Sequence, residues 1–103
     1  MKKLLFFILT GIFLTGCIQG TKEAGNEVVS ACIAKCSEEK AAGVDLSAGP
    51  CLSNNIAEDW VCDVAHEPRQ DIDNLPENQC PAFGKTAYHF VEVDPDCSFI
   101  RSY

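Results

Sequence analysis

Seven cysteines constrain this 103-residue chain more strongly than any other feature of its sequence. An odd number is unexpected in an exported protein unless one cysteine has a separate role. Cys17 is set apart, because it ends a long apolar segment and the other six lie in the more polar sequence that follows. In an oxidising compartment such an even set predicts three disulfides, formed among Cys32, Cys36, Cys51, Cys62, Cys80 and Cys97.

Zinc ligation is the main alternative role for these six cysteines. Structural zinc sites are commonly built from pairs of cysteines with about two residues between them. Here no Cys-x-x-Cys motif occurs, and the gaps after Cys36 contain 14, 10, 17 and 16 residues. The spacing therefore favours disulfides, and a domain with so small a core should depend on them for its stability.

The first 16 residues have the pattern of an export signal. Lys2 and Lys3 precede an apolar run from Leu4 to Leu14, which only Thr10 and Gly11 interrupt. A basic start followed by a short apolar region is typical of secretory signal peptides. The run is too short to remain as a membrane-spanning helix, which needs about 20 residues.

This run ends in Leu14-Thr15-Gly16-Cys17, which resembles the lipobox of prokaryotic lipoproteins. The resemblance covers residues 1–17 and implies that a diacylglyceryl group is attached to Cys17 through a thioether, with cleavage just before it. Ile18 rather than Asp follows the cysteine, so the resemblance implies no signal for retention at an inner membrane. An ordinary signal peptide that contains a cysteine near its cleavage site is the alternative.

The resemblance divides the chain into three parts. Residues 1–16 are expected to be a cleaved lipoprotein signal peptide, residues 17–26 the lipidated cysteine with a flexible leash, and residues 27–103 a disulfide-stapled ectodomain. The predicted location is the extracytoplasmic face of a prokaryotic membrane, to which the acyl chains on Cys17 anchor the protein.

The charge of the mature chain limits its partners. Two of the 8 basic residues, Lys2 and Lys3, lie in the predicted signal, whereas all 15 acidic residues follow it, which leaves a net charge near −9. Nucleic acid is excluded as a partner, because phosphate binding depends on Lys and Arg contacts that this surface cannot supply. Cationic ligands and an envelope protein remain possible partners, and no cofactor is predicted.

Hydrophobic spacing predicts one helix in the mature chain. Val29, Cys32, Ile33 and Cys36 recur at three- and four-residue intervals, which places a helix over residues 27–42 with its apolar face inward. Asn26 is the expected N-terminal cap, and Gly43 the expected stop. Cys32 and Cys36 lie one turn apart with parallel side chains, so they are expected to bond other segments rather than each other.

The rest of the chain predicts a small sheet. Trp60, Cys62 and Val64 alternate with other residues as in a strand, and residues 86–94 and 97–103 form a hairpin around Asp94-Pro95-Asp96. A short helical turn is expected at residues 53–58, and a long ordered loop at residues 66–85. The predicted fold class is therefore α+β: one N-terminal helix packed on a three-stranded antiparallel sheet.

A helix with Cys-x-x-x-Cys that is stapled to a sheet is similar to the cysteine-stabilised αβ scaffold of defensins and scorpion toxins. This chain departs from that pattern, because it lacks the Cys-x-Cys pair on the final strand and is acidic. The resemblance therefore implies no activity.

The densest polar cluster, residues 63–74, is the best candidate for a site. His66 could act as a general base oriented by Asp63, with Arg69 and His89 as further catalytic candidates. The alternative is that Arg69 pairs with nearby carboxylates to hold the loop, while His66 bonds the backbone.

Metal binding is a second possibility for the same cluster. The candidate ligands are His66, Asp71 and Asp73, with His89 as a further partner. A calcium loop of the Asp-x-Asp-x-Asp-Gly type is not present, because Leu75 and Pro76 follow the two aspartates.

These observations favour a membrane-tethered binding or envelope module without enzymatic activity. One alternative is a small metal-dependent or hydrolytic site around Asp63, His66 and His89. Another is a cation-binding accessory protein that presents carboxylates to a transporter. Trp60, Tyr88 and Tyr103 could form an exposed aromatic patch for a partner, or could be used in the core.

Overall fold

A computed structural model describes residues 24–103, which form one helix and a four-stranded mixed sheet. The elements are α1 (Ala24–Ala41), β1 (Cys51–Ala57), β2 (Trp60–Val64), β3 (His89–Val93) and β4 (Phe99–Ser102), and the strands lie in the order β1-β2-β3-β4. Short 3-10 helices occur at Leu46–Ala48, Asp71–Asn74 and Pro76–Asn78. The α+β class predicted from the sequence is therefore confirmed.

The expected three-stranded antiparallel sheet is wrong in two details. β2 and β3 run parallel, because the long segment 65–88 returns the chain to the end of the sheet at which β2 began. The helical turn expected at residues 53–58 is instead part of β1, which pairs antiparallel with β2 through a tight turn in which Asp59 has a positive φ of 73°. Pairing with β2 overrides the turn-forming tendency of Asn54-Asn55.

Helix α1 covers one face of the sheet, as its residue spacing predicts. Val28, Cys32 and Cys36 are buried in a single cluster with side chains from the two central strands, namely Cys62, Val64, Val91 and Val93. The helix begins at Ala24, so Asn26 lies within its first turn rather than capping it. Beyond Ala41 the chain turns at Gly43, whose φ of 91° suits the left-handed conformation that commonly ends helices.

Three disulfides use all six cysteines that follow Cys17. Cys32–Cys62 joins α1 to β2, and Cys36–Cys97 joins α1 to the turn before β4, so the two helix cysteines reach different segments. Cys51–Cys80 joins β1 to the long loop on the other face of the sheet. The first two bonds hold the helix, and the third holds the loop.

The predicted lipid-carrying Cys17 and the signal segment lie outside the described residues. None of the helices in residues 24–103 has the length and apolar composition of a membrane span.

Removal of individual disulfides should rank by the length of the loop that each closes. Cys36–Cys97 spans 61 residues and Cys51–Cys80 spans 29, so the chain-entropy model gives a loss of roughly 4.3 kcal/mol for the first and about 3.6 kcal/mol for the second. Paired Cys→Ala variants are to be compared with the wild type by guanidinium unfolding. Ser37→Ala, at an exposed neighbour of Cys36, is the control and should leave stability unchanged; a larger loss from the Cys51/Cys80 pair would contradict the ranking.

Candidate functional site

The second face of the sheet, which α1 does not cover, places two carboxyl groups side by side. β2 and β3 align in register, so that Asp63 is the Cα partner of Glu92 and Val61 is the partner of Phe90. Side chains alternate between the two faces of a strand, and the flanking Cys62, Val64, Val91 and Val93 pack towards α1. Asp63 and Glu92 therefore face the long loop.

A cavity of about 300 Å³ lies between this face and the loop. This volume is at the lower end of the range found for small-molecule pockets, about 300–1,000 Å³. One part of the lining is apolar, consisting of Val61, Cys80, Phe83 and Phe90, and the other is polar, consisting of Asp63, Arg69, Gln79, Glu92 and Arg101. The cavity therefore combines an apolar wall with a cluster of charged and hydrogen-bonding groups.

Glu92 is buried between two guanidinium groups. Its side chain is paired with Nη1 of Arg69 at 2.9 Å and with Nη1 of Arg101, and the residue is only 6% exposed. Each arginine also binds elsewhere: Arg69 Nε donates to Asn74 Oδ1 at 2.8 Å, and Arg101 Nη2 lies 3.0 Å from Glu67 Oε1. The positive charges of Arg69 and Arg101 and the negative charge of Glu92 therefore all have partners of opposite charge within the site.

Asp63, in contrast, has an unused hydrogen-bonding atom. The residue is 7% exposed, and its Oδ1 has no hydrogen-bond partner among residues 24–103. Burial raises the pKa of Asp63 to about 8, and the neighbouring Glu92 carboxylate adds to the increase while Arg69 opposes it. At neutral pH this side chain is therefore mainly a neutral carboxylic acid that faces the cavity.

Asp73 organises the loop that covers the cavity. It is 1% exposed, and its Oδ2 accepts hydrogen bonds from the backbone N–H groups of His66 at 3.0 Å and Gln70 at 2.9 Å. Burial opposes its charge, but these bonds and the His66 imidazole, 2.9 Å away, lower the pKa of Asp73 below its usual range. A Cβ at Gly49, where φ is 72°, would lie 2.6 Å from Asp73 Oδ1, so the loop can sit this close only because residue 49 is glycine.

The catalytic and metal candidates from the sequence fall in different places. Asp63 and Arg69 line the cavity, whereas His66 is bound to Asp73 and is not part of the lining. His89 pairs with Trp60 at the opposite end of β2, where the two rings stack with centroids 4.8 Å apart. The structure therefore does not bring Asp63, His66 and His89 into one site.

The predicted metal ligands are also dispersed. Asp71 is exposed on its 3-10 helix, whereas Asp73 is buried and already bonded to the loop backbone. Within the part of the chain that the structure describes, no three His, Cys, Asp or Glu side chains are grouped as metal ligands would be. Arg69 binds the Glu92 carboxylate and the Asp73 carbonyl oxygen, as expected if it holds the loop, whereas the His66 ring lies against the Asp73 carboxylate rather than the backbone.

The aromatic residues considered for a partner surface are divided between core and surface. Trp60 packs partly against the core beneath α1, whereas Tyr88 and Tyr103 are exposed. His89 lies between Trp60 and Tyr103, with its Nδ1 3.0 Å from the Tyr103 carbonyl oxygen.

Sequence reasoning missed much of the cavity lining, including Gln79, Phe83, Phe90, Glu92 and Arg101. One signal was present: Phe90 and Glu92 alternate with Val91 and Val93, which indicates a strand with two unlike faces. That pattern cannot show that Asp63 would be Glu92's neighbour, because the parallel pairing of β2 and β3 depends on the path of the loop.

Comparisons of the chain with protein families, with curated proteins and with solved structures found no match.

The raised pKa of Asp63 predicts an unusual dependence of stability on pH. Asp63 has a higher pKa in the folded protein than its unfolded value of 3.8, so the folded state binds the proton more tightly. The resulting stabilisation of the folded state is complete below pH 4 and is lost as the pH rises towards 8. The free energy of unfolding should fall between pH 5 and 8, by at most about 1.4 kcal/mol per pH unit. Asp73, whose pKa is lowered, loses its contribution only in the acidic range and does not affect this window.

Asp63→Asn should remove that slope, because the amide is a neutral isostere of the protonated acid. The measurement is urea unfolding of the protein at each pH from 5 to 8. Asp96→Asn, at a highly exposed carboxylate paired with Lys40, is the matched control and should retain the wild-type slope. An unchanged slope in Asp63→Asn would show that Asp63 is ionised throughout the window.

Proposed function

We propose that this protein is a lipid-anchored extracytoplasmic binding module, tethered through Cys17, that binds a small molecule in the cavity beside Asp63. The observation that carries the binding role is the Asp63 carboxyl group, which lines the cavity and, unlike Glu92 beside it, has no arginine paired with it among residues 24–103. Buried polar groups in proteins are almost always hydrogen-bonded. A ligand in the cavity would give the Asp63 carboxyl group a polar partner there.

The disulfides support the proposed location. Three of them join segments 29 to 61 residues apart, and such bonds persist mainly in oxidising compartments outside the cytoplasm. The apolar segment 4–14 and the lipobox-like Leu14-Thr15-Gly16-Cys17 support export and lipidation.

The tether between Cys17 and the domain would be short. Helix α1 begins at Ala24, three residues before the boundary predicted from the sequence. Seven residue steps from Cys17 reach at most about 25 Å even when fully extended. The proposed anchor would therefore keep the domain close to the membrane surface.

Binding is favoured over catalysis by the way the polar groups are used. Contacts that hold the loop on the sheet already use three of these groups, His66, Arg69 and Glu92. Their positions are therefore explained by the stability of the fold. Neither histidine lines the cavity, and its lining contains no serine, threonine or free thiol, because Cys80 is bonded to Cys51. Asp63 is the buried lining group that remains available to a ligand.

Mass spectrometry of the protein extracted gently from its own membrane tests the tether. We expect a chain that begins at Cys17 and carries a diacyl or triacyl mass, and a further mass increase on reduction that corresponds to three disulfides. Cys17→Ala should abolish the acyl mass and leave the disulfides intact. An unmodified Cys17 thiol in the wild-type protein would refute lipid anchoring.

Fragment screening by NMR, with a mixed library of small aromatic amines, alcohols and acids, tests the cavity. Phe83 and Phe99 are similarly exposed, at 43% and 47%, but Phe83 lines the cavity and Phe99 does not. Hits should shift amide signals of Val61, Gln79 and Phe90. Phe83→Ala should weaken binding about tenfold, which corresponds to about 1.4 kcal/mol of lost apolar contact.

Phe99→Ala is the matched control for that variant and should leave the affinity unchanged. A library without hits at these residues, or equal losses in the two variants, would refute the cavity as the binding site.

A further inference from the structure

The charged side chains around the cavity, with Asp63 left out, sum to a net charge of zero. Arg69 and Arg101 face it from the loop and from β4, and they are paired with Glu92 and Glu67. Two positive and two negative groups therefore cancel. An ionised Asp63 would be the one unmatched charge in this set, and it would be negative.

This balance selects against an anionic ligand. Both guanidinium groups already contact carboxylates, at 2.9 Å for Arg69 and Glu92 and 3.0 Å for Arg101 and Glu67. An incoming carboxylate or phosphate would compete with these internal partners and would lie close to Glu92. A monocation would instead pair with ionised Asp63 and leave the site neutral.

The apolar wall suits a cation that carries a hydrocarbon body. Phe83 and Phe90 meet edge to face with ring centroids 5.5 Å apart, and Val61 and Cys80 lie beside them. Aromatic faces attract ammonium groups through their quadrupoles and also pack against apolar groups. The negative net charge of the mature chain, near −9 without Lys2 and Lys3, would raise the local concentration of cations.

We infer that the cavity recognises a small primary amine with an apolar body, whose ammonium group donates to Asp63 and whose body packs against Phe83 and Phe90. This inference rests on the proposed function, since it assumes that the cavity is a binding site. The volume of about 300 Å³, at the lower end of the range for small-molecule pockets, suits a ligand with a single aromatic ring and a short chain.

Binding of such a ligand should release a proton. In the free protein Asp63 is mainly protonated at neutral pH, and an adjacent ammonium group favours the carboxylate. The neutral acid and the ammonium ion thus give a carboxylate–ammonium pair and one proton to solvent. The charged groups that act on Asp63 are Arg69 and Asp73 from the loop and Glu92 from β3.

Three probes with the same ring test the inference by calorimetry on the full lipid-anchored protein in detergent at pH 7.5. They are 2-phenylethylamine, 2-phenylethanol and 3-phenylpropionate, which differ in carrying an ammonium, a hydroxyl or a carboxylate group. We expect the amine to bind at least tenfold more tightly than the other two. Its affinity should rise between pH 6 and 8, by up to about tenfold per pH unit because one proton is released, whereas that of the alcohol should not change.

Asp63→Asn should abolish the preference for the amine and leave the affinity for the alcohol nearly unchanged. Asp96→Asn is the control at an exposed carboxylate and should behave as wild type. The pH dependence of the wild-type protein provides a test that does not depend on the folding of the Asp63 variant.

Two outcomes would overturn the inference, and they are distinguishable. Tighter binding of 3-phenylpropionate, lost in Arg101→Gln, would show that the cavity takes anions, and the proposed binding function would stand. Binding of none of the probes at millimolar concentration, together with a fragment screen that gives no shifts at the cavity, would refute both the ligand class and the function.

Discussion

The buried carboxylate of Glu92 is the interaction on which the second half of this fold depends. It lies on β3 and binds one arginine from the long loop and another from the edge strand β4. Burial of a single charge in a protein this small would be strongly unfavourable without such partners. Because Arg69 also reaches Asn74 and the backbone of Asp73, the same carboxylate attaches the loop to the sheet.

The two faces of the sheet are closed by different means. On the face beneath α1, apolar residues and the disulfides Cys32–Cys62 and Cys36–Cys97 form the core. On the other face, the segment 65–88, which has no long helix or strand, is held against the sheet by ion pairs, by the Asp73 carboxylate and by Cys51–Cys80. A parallel pair of strands is normally covered on both faces. Here the second cover is a loop, and imperfect closure between loop and sheet leaves the cavity.

Local patterns were sufficient to predict some of this architecture. The spacing of Val29, Cys32, Ile33 and Cys36 indicated α1, because helical periodicity is set by neighbouring residues alone. The parallel pairing of β2 with β3 could not be predicted, since it depends on where the segment 65–88 brings the chain back. Within the candidate site, Asp63 and Arg69 were identified from their local density of polar residues, whereas Glu92 and Arg101 become part of it only through strand register.

The position of α1 determines the side of the domain at which the preceding chain joins it. The helix and the cavity lie on opposite faces of one sheet, and the chain enters the domain through the first turn of that helix. Whatever precedes Ala24 therefore joins the molecule on the side remote from the cavity. Under the proposed function, attachment and recognition would occupy separate surfaces, so a ligand would reach the cavity without passing the anchored side of the domain.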